Sequence, residues 1–261
     1  MHKVTTLPPA TAHRAISALM LREMSATYGR SPGGWLWAIA EPVGAITLLA
    51  FVFALAFDAP PLGQSFVMFY ATGYLPFMMF TDISIKTANA VRFSRPLLTY
   101  PSVTALDALV ARFSLNLLTQ LCVIGVVLVG IEAIFETGIQ PNPADLAVAL
   151  ALSAQLAAGV GVLNCALFHR FPLWERLWQI VTRPLFVISG IFFLIEDIPA
   201  EYREAALMNP LLHLTAMTRA ALYPTYDAAL ANPLYVSGAG LGCLCLGLLL
   251  LRTTQRDLAN G

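Results

Sequence analysis

WLWAIAEPVGAITLLAFVFALAF, residues Trp35 to Phe57, holds a single ionisable side chain and is long enough to cross a bilayer as a helix. About 20 helical residues span the roughly 30 Å hydrocarbon layer. Five more stretches of the same character follow, at 65–91, 103–131, 144–168, 177–195 and 234–251. Of the 261 residues, 58% are hydrophobic and only 11% charged, too little polar surface to coat a soluble globule of this size. The pattern predicts an all-α membrane protein with six transmembrane helices, read as a single domain over 1–261.

Charge sets an orientation. Basic and acidic residues balance at 15 each, but they are not mixed. Lys3, Arg14, Arg22 and Arg30 precede the first span. Lys86, Arg92, Arg95 and Arg112 flank the link between spans two and three. Arg170, Arg176 and Arg183 surround the next even-numbered link, and Arg252 and Arg256 follow span six. Only Arg203 and Arg219 fall on the other side, among Asp58, Glu132, Glu136, Glu196, Asp197, Glu201, Glu204 and Asp227. Basic residues near span ends are retained in the cytoplasm, so a multi-pass protein with both termini inside is expected. The first apolar run is too long and too late for a signal peptide.

Two segments depart from the simple crossing pattern. Residues 11–30 read as an interfacial amphipathic helix, with Ile16, Leu19, Met20, Met24 and Thr27 on one side and Arg14, Ala18, Arg22 and Ser25 on the other. Glu23 falls on the apolar side, where it needs a polar partner. Ser31-Pro32-Gly33-Gly34 ends that helix. Residues 196–233 are too polar to span and are broken by prolines at 199, 210, 224 and 233. This segment is expected to form one or two short re-entrant extracytoplasmic helices before the last span.

Several chemistries are excluded by sequence. No G-x-x-x-x-G-K-[ST] loop is present to cradle a nucleotide, and His2, His13, His169 and His213 have no metal-ligand spacing. Cys122, Cys165, Cys243 and Cys245 all lie in apolar runs, where ordinary buried apolar side chains are expected. Gly238 and Gly242 form a small-xxx-small pair suited to close helix packing.

The polar and aromatic positions inside spans are the candidates for function. Glu41 lies within span one. Asp82 and Lys86 stand four apart with the acid first, so they can pair on one helix face. Arg112, Asn116 and Gln120 form a stripe in span three that should face protein or water. Tyr70, Phe77 and Phe80 share much of one face of span two with Phe66 and Phe69, and Tyr74 lies close by; these aromatics serve as an interface belt or lipid contact, or stack against sugar rings. The polar residues either hold the bundle together or line a substrate channel, and the spacing fits both. Glu23, Arg92, Phe93, Arg95, Arg170, Trp174 and Glu175 mix charge with apolar surface at the cytoplasmic links, as a headgroup anchor or a docking surface would.

The run from Leu21 through Arg22-Glu23, Tyr28-Gly29-Arg30-Ser31 and the Trp-rich stretch to Glu41-Pro42 resembles the N-terminal signature of polysaccharide-exporting ABC permeases, the capsular branch above all. Asn209-Pro-Leu-Leu-His213, continuing to Arg219, is similar to the family's segment before the last span. Ala216 stands where that pattern carries an acid. The resemblance implies a homodimer in the bacterial inner membrane, served by two copies of a cytoplasmic ABC ATPase that holds the ATP and Mg. It implies lipid-linked polysaccharide as cargo, periplasmic or outer-membrane export proteins as further partners, and no nucleic acid. Glu41, Lys86 and Arg112 would then meet the glycan, and Asn209, His213 and Arg219 would lie in the exit segment. Related architectures move O-antigen, teichoic acid or small amphiphiles. An ion-driven secondary transporter would show inverted repeats, and 35–131 does not repeat in 144–251.

Overall fold

The computed structural model describes residues 9–28, 34–97 and 103–260. Its helices are α1 (Pro9–Tyr28), α2 (Gly34–Ala54), α3 (Phe66–Ala88), a short α4 (Ala90–Ser94), α5 (Ala105–Phe135), α6 (Pro143–Arg170), α7 (Pro172–Ile188), α8 (Ala200–Ala206), α9 (Pro210–Leu222) and α10 (Pro233–Asn260). One 3-10 turn, Ile195–Asp197, precedes α8, and no strand occurs among the described residues. Arg30 and the breaker residues 31–33 lie outside the described residues.

Helix starts are written locally. Thr104 and Asp107 exchange hydrogen bonds as a capping box for α5. Asn142 accepts from Ala144 and Asp145 N–H ahead of Pro143, and Asn209 accepts from Leu211 N–H ahead of Pro210. Each cap satisfies donors that the first helical turn leaves free, and each proline forgoes one.

Helix α3 runs through the centre, packed by α2, α5, α6 and α9. Burial covers 72% of its apolar window, against 17% for α2 and 22% for α10. A single copy therefore hides α3 and leaves α2 and α10 with wide apolar faces that only lipid or protein would cover.

Small residues set the closest helix approaches. A Cβ on Gly159 of α6 would stand 2.1 Å from Gly240 O of α10, and one on Gly247 would stand 2.5 Å from Leu163 N. On the other side of α6, a Cβ on Gly161 would meet Thr87 of α3 at 2.7 Å. Lipid tails give helices no hydrophobic reason to associate, so close backbone packing of this kind supplies the attraction. The register on α10 differs from the expected one. Gly240 and Gly247 pack, while Gly238 and Gly242 have nothing within 4 Å of a built Cβ.

Among the described residues five helices, α2, α3, α5, α6 and α10, are long and apolar enough to cross a membrane. The stretch 177–195 takes another form: α7 starts earlier, at Pro172, and stops at Ile188. Gly190 adopts φ 75°, a left-handed turn that breaks the helix. The carbonyls freed beyond that point are met by side chains of α9. Asn209 donates to Ile188 O at 3.2 Å, Thr215 to Ser189 O at 2.8 Å, and Arg219 to Ile191 O at 3.1 Å and Phe193 O at 2.8 Å. An unmet carbonyl in hydrocarbon costs several kcal/mol, which is why a broken span needs such a neighbour.

Candidate functional site

The three polar residues expected in an exit segment are all engaged in holding backbone. Arg219 is 1% exposed, its guanidinium 4.2 Å from the Phe69 ring centroid while it donates to the two carbonyls. His213 Nε2 donates to Leu207 O at 2.8 Å, and Nδ1 accepts from Asn232 N–H at 3.1 Å, a pairing that fits the neutral ring. Tyr235 packs its ring 5.3 Å from His213 and donates its hydroxyl to Met208 O at 2.7 Å. The clasp joins α8, α9 and α10 at the acidic end of the molecule.

Aromatic candidates sort by depth. Tyr70, Phe77 and Phe80 are buried within the subunit, and Tyr74 is half-buried. Tyr70 lies against Phe53 at 5.1 Å and Phe69 at 5.3 Å, and Phe186 of α7 contacts both Phe77 (5.4 Å) and Tyr74 (6.3 Å). Tilted and edge-to-face contacts of this kind cover the rings, so of these four aromatics Tyr74 retains the most surface to offer a sugar. Glu41 is exposed on the outer face of α2, beside a cleft of about 400 Å³ lined with Trp37, Ala40, Gly44 and Ala45. Tyr74 sits within electrostatic reach of both Glu41 and Asp82.

A polar line continues from there toward the basic end. Lys86 pairs with Asp82 at 2.8 Å, and Gln120 of α5 donates to the same carboxylate oxygen at 2.6 Å. One turn apart on α5, Asn116 donates to Arg112 O at 2.7 Å and lies near the Glu23 carboxylate. Arg112 Nε stands 3.2 Å from Glu23 Oε1. Burial pushes the Glu23 carboxyl above the usual carboxylate range even though Arg112, Asn116 and Lys86 pull it down. Glu23 thus finds its partner inside the chain, and α1 is fixed to α5 by it.

Among the link residues read as a headgroup anchor or a docking surface, Arg92 and Glu175 find each other. Arg92 of α4 makes a two-pronged pair with Glu175 of α7, at 3.2 and 2.8 Å. Phe93 lies under Arg112 at 4.3 Å and Arg22 at 5.6 Å. Trp174 donates to Asn164 Oδ1 at 2.9 Å. Arg95 and Arg170 are exposed. Among the described residues, no three His, Cys, Asp or Glu side chains come together as a metal site.

The ABC-2 type transporter family profile matches residues 14–223, well over half of this chain. The chain belongs to the ABC-2 type transporter family. Among curated relatives of this ABC-2 chain is the polysialic acid transport protein KpsM of Escherichia coli, 29% identical over 93% of this chain and 94% of its own. The capsule polysaccharide export inner-membrane protein CtrC of Neisseria meningitidis serogroup B is 30% identical over 92% and 90%. BexB of Haemophilus influenzae, of the same description, is 25% identical over 94% and 92%.

Sequence reading of this ABC-2 subunit missed three contributors. Asn164 and Thr215 are polar residues inside apolar helices, the signal that could have flagged them as backbone or side-chain partners. Phe186 carries no such mark; only the folded chain places it between Tyr74 and Phe77.

Proposed function

We propose that this chain is the membrane-spanning permease subunit of an ATP-driven exporter of lipid-linked capsular polysaccharide in the bacterial inner membrane. Two copies work with two copies of a separate cytoplasmic ATPase, which carries the ATP and Mg. The end-to-end similarity to CtrC and KpsM carries this reading, since it spans nearly the full length of both partners rather than one shared motif. The bare outer face of α2 supports the dimer, because a second copy would cover it and would then stand beside Glu41 and its cleft. The basic end faces the cytoplasm, as the charge bias favours. The glycan enters along Glu41, Tyr74 and Lys86 and is held by many weak contacts, because a site that gripped any one segment tightly would stall a moving polymer. Periplasmic and outer-membrane export proteins receive it.

Purification of a tagged chain from its native host tests the reading. A soluble ATPase is expected to co-purify in equal amount, with all ATP hydrolysis residing in the complex. A chain that purifies alone and transports with an ion gradient would refute it.

A further inference from the structure

Helix α4 is five residues long, and two adjacent side chains tie it to different parts of the molecule. Phe93 is bracketed by Arg112 of α5 and Arg22 of α1. Arg92 reaches across to Glu175 in the first turn of α7 with two hydrogen bonds, a fork geometry that resists both pulling and rotation. Helix α7 is otherwise lightly held. None of its residues is buried, and its polar ties at this end are Trp174 to Asn164 and Glu175 to Arg92. Its far end touches the rings of Tyr74 and Phe77 through Phe186.

Movement of α4 thus has two routes into the membrane domain. One passes through an aromatic ring pressed between cations to α1 and α5, which are themselves joined by Glu23 and Arg112. The other passes through a single ion pair to a helix none of whose residues is buried. We propose that Arg92–Glu175 is the linkage that carries motion of α4 to α7, and through Phe186 to Tyr74 and Phe77, while Phe93 keeps α4 seated on α1 and α5. Arg92 and Glu175 are positioning residues in this scheme; neither touches glycan or nucleotide. The inference rests on the permease reading above and takes α4, at the basic end, as the element that receives the push from the ATPase.

The test uses the complete permease–ATPase complex, with surface glycan of the native host as the transport readout and ATP hydrolysis by the purified complex as the second. Arg92→Ala and Glu175→Gln are each expected to keep the ATPase bound and hydrolysing within about twofold while surface glycan falls about tenfold, because one missing pair is enough to disconnect a two-point strut. The exchanged pair, Arg92→Glu with Glu175→Arg, is expected to recover most of the export, a coupling that neither single change predicts. Spin labels on Gln179 and on Ala144 report the motion directly: their separation should change on ATP binding in the wild type and stay fixed in Arg92→Ala. Export at the wild-type level in both single variants overturns the linkage. So does an exchanged pair that stays as low as the singles, or loss of the ATPase from Arg92→Ala, which would make Arg92 a docking residue. Absence of an ATPase from the wild-type preparation overturns the permease reading itself and the linkage with it.

Discussion

Replacing Arg219 with methionine is expected to remove most of the folded protein from the membrane. The guanidinium makes charge-assisted hydrogen bonds to Ile191 O and Phe193 O, each worth roughly 1.5–3 kcal/mol, and its contact with Phe69 adds about 0.5–2 kcal/mol. Trading a buried charge for a methionine of similar length can be neutral when the charge's partners leave with it. Here they stay: two carbonyls of the bent segment after α7 lose their donors, at about 1–3 kcal/mol each. The net loss is on the order of 3–5 kcal/mol, a large part of the 5–15 kcal/mol that holds a typical domain. Arg219→Lys should fall between, because one ammonium cannot serve both carbonyls with the same fork. Yield after detergent extraction and the unfolding midpoint by tryptophan fluorescence read both variants. Wild-type values for Arg219→Met would remove the clamp and return Arg219 to the glycan path.

Widening Gly159 to valine is expected to separate α6 from α10 with comparable damage. Its Cβ would sit 2.1 Å from Gly240 O, a backbone atom that cannot swing aside. Overpacking of this kind costs about 1–3 kcal/mol where neighbours yield and more where they do not. Gly240→Leu should behave alike, since its Cβ meets Leu156 Cα at 3.2 Å and a branched side chain extends further. Gly238→Leu and Gly242→Leu should change the unfolding midpoint little, below about 0.5 kcal/mol, because open space surrounds both. The reverse ranking would show that α10 packs in the register first read from its sequence.

The contrast on α10 shows where sequence pattern ends. Gly238 and Gly242, the glycine pair four apart, marked one face of α10, but Gly240 and Gly247, seven apart, are the pair that packs. Only the position of α6 selects Gly240 and Gly247. The Asp82–Lys86 pair was legible because both partners lie on one helix, and local geometry alone brings them together. Glu23 announced a need for a partner, since a carboxylate on an apolar face demands one, yet Arg112 lies far along the chain and nothing local names it. The same holds for Arg92 and Glu175: each read as a headgroup anchor or a docking surface, and nothing local names the other as its ion-pair partner. Residues 177–195 read as a span because hydropathy counts side chains, whereas the break depends on Gly190 φ and on donors from α9 that hydropathy does not see.

The most direct measurement of the central claim is reconstitution of the purified complex, chain and ATPase together, into vesicles carrying lipid-linked glycan extracted from the native host. The account predicts that glycan raises ATP hydrolysis and becomes enclosed on the side away from the ATPase, that both effects vanish when the ATPase is omitted, and that an ion gradient restores neither. Glycan movement by this chain alone, with or without such a gradient, would contradict it.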